Sequence, residues 1–170
     1  HLSEYSAHIR PENFVESLEF IGQESPFKFL FLPTQIIYAV MVKTILGVIK
    51  ETKTPPDKRV PLTPAQCVDV MKRFPEVEVI VEKSDIRSYK DEEYAAQGVR
   101  LVDRAFEADI LMGVKEVKID YLLPNKKYFF FSHTFKKQPY NRKLLQAILE
   151  KKIQLIDYET LTDKNKHRII

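Results

Sequence analysis

Glycine is scarce in this chain, with four residues in 170, and none stands in a Gly-x-Gly-x-x-Gly pattern. That turn needs glycines so that a pyrophosphate can approach a helix N-terminus closely, so the chain carries no such turn of its own. Cysteine is scarcer still. Cys67 is alone, which excludes an intrachain disulfide framework. The Cys-x-x-Cys and His-x-x-x-His spacings of zinc sites are missing too, so no metal is expected. No stretch supplies the roughly twenty unbroken apolar residues of a membrane helix. Pro33, Gln35 and Lys43 interrupt the nearest candidate. Nor does one sign of charge dominate: 27 basic against 24 acidic side chains leave +3, which gives no push toward nucleic acid or an anionic membrane. Repeats and low-complexity tracts are absent. A chain of this length holds one domain with a real core, and hardly two.

What the sequence does have is three short apolar runs, each stopping on a titratable residue. Ile45-Leu46-Gly47-Val48-Ile49 ends on Lys50-Glu51, with Arg59 a few residues on. Ile110-Leu111-Met112-Gly113-Val114 ends on Lys115-Glu116, and Tyr128-Phe129-Phe130-Phe131 ends on Ser132-His133. Runs of about five apolar residues without alternation read as strands buried on both faces of a parallel sheet. Ligands of such sheets bind outside the carboxyl ends of the strands. An arginine, a lysine and a histidine are therefore expected to share one crevice.

Between the runs lie helical signals. Thr63-Pro64-Ala65-Gln66 reads as a capping box opening a helix with Val68, Met71 and Phe74 on one face and Pro75 as its stop. Cys67 falls inside that helix and reads as a small buried hydrophobe. Residues 77–81 alternate apolar and acidic side chains, as in a strand nearer an edge. Residues 91–97 form a short helix closed by Gly98. Asn141 is expected to cap a last helix that buries Leu144, Leu145, Ile148 and Leu149, followed by a strand over 154–156. The fold class is α/β: a Rossmann-like, mostly parallel sheet with helices on both faces.

Residues 1–40 differ from the rest. They carry five glutamates and no steady period, unlike an arginine-rich, acid-poor presequence, and they lack the basic start of a signal peptide. The folded unit is expected to start near Met41, with 1–40 a poorly ordered extension or an artefact. The localisation expected is cytoplasmic.

The stretch GVIKETKTPPDKRVPLTP resembles the opening of the alanine dehydrogenase/transhydrogenase N-terminal domain family, and LMGVKEV resembles that family's strand ending in lysine-glutamate. The segment FFFSHTFKKQPYNRKLLQAILEKKIQLIDYETLTD is similar to the saccharopine dehydrogenase, or lysine-oxoglutarate reductase, branch of that family. The resemblance implies an oxidoreductase using NAD or NADP at a carbon–nitrogen bond, with two Rossmann-like domains around a cleft. It implies that 41–170 is the N-terminal substrate-binding domain, ending before the dinucleotide-binding one. The substrates implied are an amino acid and a 2-oxo acid. Lys115 matches the family's active lysine and His133 its acid–base histidine, whose intrinsic pKa suits proton transfer near neutrality.

Arg59 matches the arginine after the first strand, whose planar fork suits a substrate carboxylate. Glu116 and Glu159 correspond to acidic residues near the family's cleft and are expected to tune the lysine and histidine, or to form structural ion pairs. Lys136 and Lys137 read as solvated, and His1, His8 and His167 receive no role. Two alternatives stand beside the leading reading: an alanine dehydrogenase-like enzyme taking pyruvate and ammonia, and a non-catalytic amino- or keto-acid-binding module.

Overall fold

Six strands make up the sheet: β1 (Thr44–Val48), β2 (Val77–Glu82), β3 (Arg100–Val102), β4 (Ile110–Met112), β5 (Lys127–Phe130) and β6 (Gln154–Asp157). All five neighbouring pairs are parallel, in the order β3-β2-β1-β4-β5-β6. The computed structural model describes residues 43–169, so the expected extension over 1–40, with His1 and His8, lies outside the described residues. Chain order reverses between β1 and β4, and a sheet wound this way opens its ligand crevice at that point, outside the carboxyl ends of the strands.

Among the described residues three α-helices cover the sheet: α1 (Pro64–Arg73), α2 (Asp91–Ala96) and α3 (Arg142–Glu150). Val48, Val79 and Val81 pack with Cys67 of α1 and Tyr94 of α2 in one core. Ile80, Leu111, Tyr128 and Phe130 pack with Leu144, Ala147 and Ile148 of α3 in a second core. Alternate residues of β2 thus feed opposite cores, which is why these strands lack the polar alternation of one-sided sheets. The expected α/β architecture, with helices on both faces, is present.

Local chemistry explains most of the boundaries. Thr63 caps α1 in a full box: its hydroxyl accepts from the Gln66 amide, and the Gln66 side chain accepts from the Thr63 amide at 2.9 Å. The buried face of α1 differs from the expected one. It centres on Pro64 and Cys67, with Val68 and Met71 half-buried, while Phe74 is exposed just past the last turn. Residues spaced by three drift around an α-helix by about 60° per step, which carries position 74 off the face. Burial pushes the Cys67 thiol up to about 11, so it packs as the inert small hydrophobe expected.

In α3 the buried set is Leu144, Ala147 and Ile148, whereas Leu145 and Leu149 face outward. Spacings of three and four fix one stripe, and the small Ala147, not a leucine, completes it. Asn141 stands at the N-cap position but makes no capping bond; its amide instead donates to the His133 carbonyl at 3.2 Å. β2 lies one place in from the edge and carries Glu82 fully into the core. Two backbone donors accompany that carboxylate inward, the amides of Lys50 at 3.1 Å and Ala105 at 3.0 Å, which offsets its desolvation. The edge strand β3 has only three residues, too few for a periodic signal.

Candidate active site

The site is assembled where β1, β4, β5 and β6 run out together. β1 and β4 pair up to Val48 and Met112, and the Ile49 amide donates to the Met112 carbonyl at 2.9 Å. Beyond that point a side chain takes over the ladder. The two carboxylate oxygens of Glu51 accept from the amides of Val114 at 2.6 Å and Lys115 at 2.9 Å. Burial raises the Glu51 pKa, the two amides pull against that rise, and the nearby Asp57 charge adds to it. Glu51 therefore fixes the backbone from which the Lys115 side chain departs. The Lys115 ammonium itself forms no hydrogen bond or ion pair among the described residues, and its charge acts on Asp57.

Arg59 turns its fork onto Asp57, with Nη2 2.6 Å and Nε 3.0 Å from the two carboxylate oxygens. Those hydrogen bonds, chiefly, hold Asp57 down at about 2, and the Lys115 charge contributes. Asp57 thus links the two cations, although its own carboxylate now occupies the fork expected to receive a ligand. The Arg59 side chain remains 60% exposed, against 15% for Asp57.

A stability test follows. The folded pKa of Asp57 lies below its ordinary value, so its contribution is complete above about pH 4 and is lost as pH falls through 2. Asp57→Asn is expected to cost about 1–2 kcal/mol near neutrality, after screening at the exposed arginine is allowed for. Denaturant melts from pH 7 to pH 2 should show that difference vanish in acid. Glu51, shifted upward chiefly by burial, works in the opposite sense, and the variant loses only the part of that shift that the Asp57 charge adds.

His133 follows β5 with φ of 56°, an uncommon conformation for a residue with a side chain. Phe131 stacks on its ring, with centroids 6.5 Å apart. Nδ1 lies 2.8 Å from Glu159 Oε2, and Nε2 lies 3.8 Å from Glu116 Oε1. Each glutamate also meets a lysine: Lys53 Nζ is 2.7 Å from Glu116, and Lys136 Nζ is 2.9 Å from Glu159. For Glu159, burial raises the pKa, but the hydrogen bonds from Lys136 and His133 outweigh it and leave the carboxyl below its ordinary range. An ionised carboxylate only accepts, so His133 carries its proton on Nδ1 and turns Nε2 toward Glu116.

Beneath this histidine lies a buried set that the sequence reading passed over. Ser132 Oγ hydrogen-bonds the Asp157 carboxylate and lies 2.7 Å from Thr134 Oγ1. The same oxygen accepts from the Thr134 amide at 3.0 Å, and Asp157 accepts from the Glu159 amide at 3.0 Å. These bonds tie the end of β5 to the end of β6 and hold His133 against Glu159. The signal was present in the Ser-His and Asp-Tyr-Glu strings that close the two strands. Glu51 was quoted in the sequence but given no role.

All five expected residues lie at the carboxyl rim. His133 lies between Glu159 at 2.8 Å and Glu116 at 3.8 Å, Lys115 precedes Glu116 in sequence and acts on Asp57 by its charge, and Arg59 hydrogen-bonds Asp57 rather than any of the other four. Lys136 joins the set through Glu159, whereas His167 pairs with Asp163 and is exposed, away from it. Alongside opens a cleft of about 610 Å³, walled by Val60, Pro61, Met112, Val114 and Phe131, with Arg59 and Tyr158. Among the described residues no cluster of ligating side chains suits a metal ion. A dinucleotide fits poorly as well. The turn after β1 holds the part-buried carboxylate of Glu51 where a pyrophosphate needs glycine amides, and α1 starts only at Pro64.

A sequence profile of the alanine dehydrogenase/PNT N-terminal domain matches residues 47–170. The chain belongs to that family. It is 34% identical over 128 residues to the mitochondrial alpha-aminoadipic semialdehyde synthase of Rattus norvegicus, and 30% identical over 130 residues to the Arabidopsis thaliana alpha-aminoadipic semialdehyde synthase. Those alignments cover 75% and 74% of this chain but only 14% and 12% of the relatives. Among solved structures, an L-alanine dehydrogenase superposes with a TM-score of 0.61 at 23% identity, covering 72% of this chain and 34% of the other. A transhydrogenase from Sinorhizobium meliloti gives 0.58 at 17% identity, covering 69% and 35%. These two likenesses carry the fold. The family is one of oxidoreductases, named for a dehydrogenase and a transhydrogenase. No described helix is long and apolar enough to cross a membrane.

Proposed function

We propose that this chain is the substrate-binding half of an amino-acid dehydrogenase or reductase acting at a carbon–nitrogen bond, of the saccharopine dehydrogenase or lysine-2-oxoglutarate reductase type. The observation that carries the reading is that a lysine whose ammonium has no partner among the described residues and a glutamate-oriented histidine leave the same rim of the sheet, near an apolar cleft that Arg59 lines. In this reading Arg59 receives a substrate carboxylate, exchanging Asp57 for it. Lys115 and His133 pass protons to and from the amine and carbinolamine through which an imine forms. Glu159 keeps the imidazole in the tautomer that leaves Nε2 free to accept, and Glu116 faces that nitrogen.

The nicotinamide, NAD or NADP, is held by a separate dinucleotide-binding domain and supplies the hydride; the residues described here handle substrate and protons. On that basis the 170-residue chain alone oxidises no cofactor. The relatives' name and the cleft volume favour lysine with 2-oxoglutarate, because about 610 Å³ suits a drug-sized ligand and is generous for pyruvate. The partners are small molecules. A cytoplasmic location is the one read from the sequence, and fractionation tests it against the mitochondrial relative.

The deciding assay follows cofactor oxidation by the full-length protein with lysine plus 2-oxoglutarate, and with ammonia plus pyruvate. Turnover with the first pair is expected; turnover only with the second would reject the assignment in favour of an alanine dehydrogenase-like enzyme. Calorimetry separates the binding-module alternative, which requires tight uptake of an amino or oxo acid by this chain on its own.

A further inference from the structure

Among the described residues one buried side-chain polar atom has no hydrogen-bond partner, the Tyr158 hydroxyl. The other two buried tyrosines differ in this respect. The Tyr94 hydroxyl donates to the Leu62 carbonyl at 2.8 Å, and the Tyr128 oxygen accepts from the Leu123 amide at 2.8 Å. An unmet buried hydroxyl destabilises the fold, and phenylalanine would fill the same space without that cost. The ring already packs as a phenylalanine would, 5.1 Å from Phe131 and 6.2 Å from Phe129 between centroids. Packing therefore explains the ring and leaves the oxygen unexplained.

Tyr158 stands in the wall of the cleft that Arg59 also lines. Arg59 is largely exposed and marks the mouth, while Tyr158 is buried and belongs to the deeper wall. The same cleft is lined by apolar Val60, Val114 and Phe131 and by polar Thr63, Ser88 and Tyr89. A ligand whose carboxylate meets Arg59 at the mouth can place its other end against the deeper wall.

We infer that the Tyr158 hydroxyl is a ligand-binding donor, pairing with a carboxylate or oxo oxygen at the end of the substrate remote from Arg59. The inference rests on the reading of this cleft as a substrate site and adds a residue that selects among substrates. Burial and the neighbouring Glu51 charge both hold the phenol well above its ordinary range, so the proton stays on and the group donates. A site with such a donor discriminates strongly against ligands that have no acceptor for it.

Tyr158→Phe keeps the ring and removes the oxygen. Titration of 2-oxoglutarate against the 170-residue chain, followed by NMR, is expected to show affinity about tenfold to a hundredfold weaker in the variant. The melting temperature should stay level or rise. Equal affinity within about twofold, or a fall of several degrees in melting temperature, would overturn the inference; the latter would mean that the hydroxyl has a structural partner. If the unmodified chain shifts no signals with 2-oxoglutarate, the substrate-site reading falls together with the inference. If it binds and the variant binds equally, only the role of Tyr158 falls.

Discussion

On the proposed reading, Lys115→Met in the full-length protein is expected to lower kcat/KM for reductive condensation of lysine with 2-oxoglutarate by about 10²–10⁴. The magnitude follows from placement. Lys115 follows β4 on a backbone clamped by both oxygens of Glu51, so the root of its side chain is fixed at the rim. No described side chain competes for that ammonium, whereas Lys53 and Lys136 are committed to Glu116 and Glu159. Methionine preserves length and apolar bulk but carries no proton. Folding should be little disturbed, since the ammonium makes no hydrogen bond or ion pair among the described residues and only its longer-range attraction to Asp57 is lost, and the melting temperature is expected to move by no more than about 2 °C. A loss under tenfold in kcat/KM would place the proton transfer elsewhere.

The largest stability effect is expected at Gly47→Val. Gly47 sits in β1 beside the switch point. A Cβ there would lie 2.8 Å from the Ala108 Cβ, 2.9 Å from the Ala105 Cβ and 3.2 Å from a Leu111 methyl. Ala105, Ala108 and Leu111 are themselves fully buried, so no neighbour can swing aside. The need here is for close approach, because the segment after β3 lies flat on the sheet and its Ala105 amide reaches Glu82. Overpacking of this kind costs about 3 kcal/mol, and branching at Cβ adds atoms in the direction already filled. Urea melts of the two chains measure it; a cost under about 1 kcal/mol would show that the segment is free to move away.

The sheet was legible because burial on both faces removes polar residues from its strands, so β1, β4 and β5 stand out as apolar runs. Chain ends of those runs marked the rim, and Lys115 and His133 are found there. Other features were not legible, for identifiable reasons. β3 is too short to have a period, and the acidic alternation of β2 suggested an exposed face where Glu82 is in fact buried under two amides. Leucine content pointed to Leu145 and Leu149 in α3, but helix geometry buried Ala147 instead.

Asn141 looked like a cap by residue type, yet its amide serves the His133 carbonyl in the adjoining loop. Arg59 was read as a free fork because the partner, Asp57, is a sequence neighbour whose orientation depends on the local turn. Glu51, Ser132, Asp157 and Tyr158 act through contacts across strands, and such contacts have no local pattern.

The most direct test observes three side chains at once while one ligand binds. The 170-residue chain, labelled for side-chain NMR at arginine, lysine and histidine, is titrated with 2-oxoglutarate. The Arg59 guanidinium, the Lys115 ammonium and the His133 imidazole are expected to shift together along one binding curve with a single dissociation constant. Shifts at Arg59 with none at Lys115 and His133, or separate curves for the three, would contradict a shared site at the carboxyl rim of the sheet.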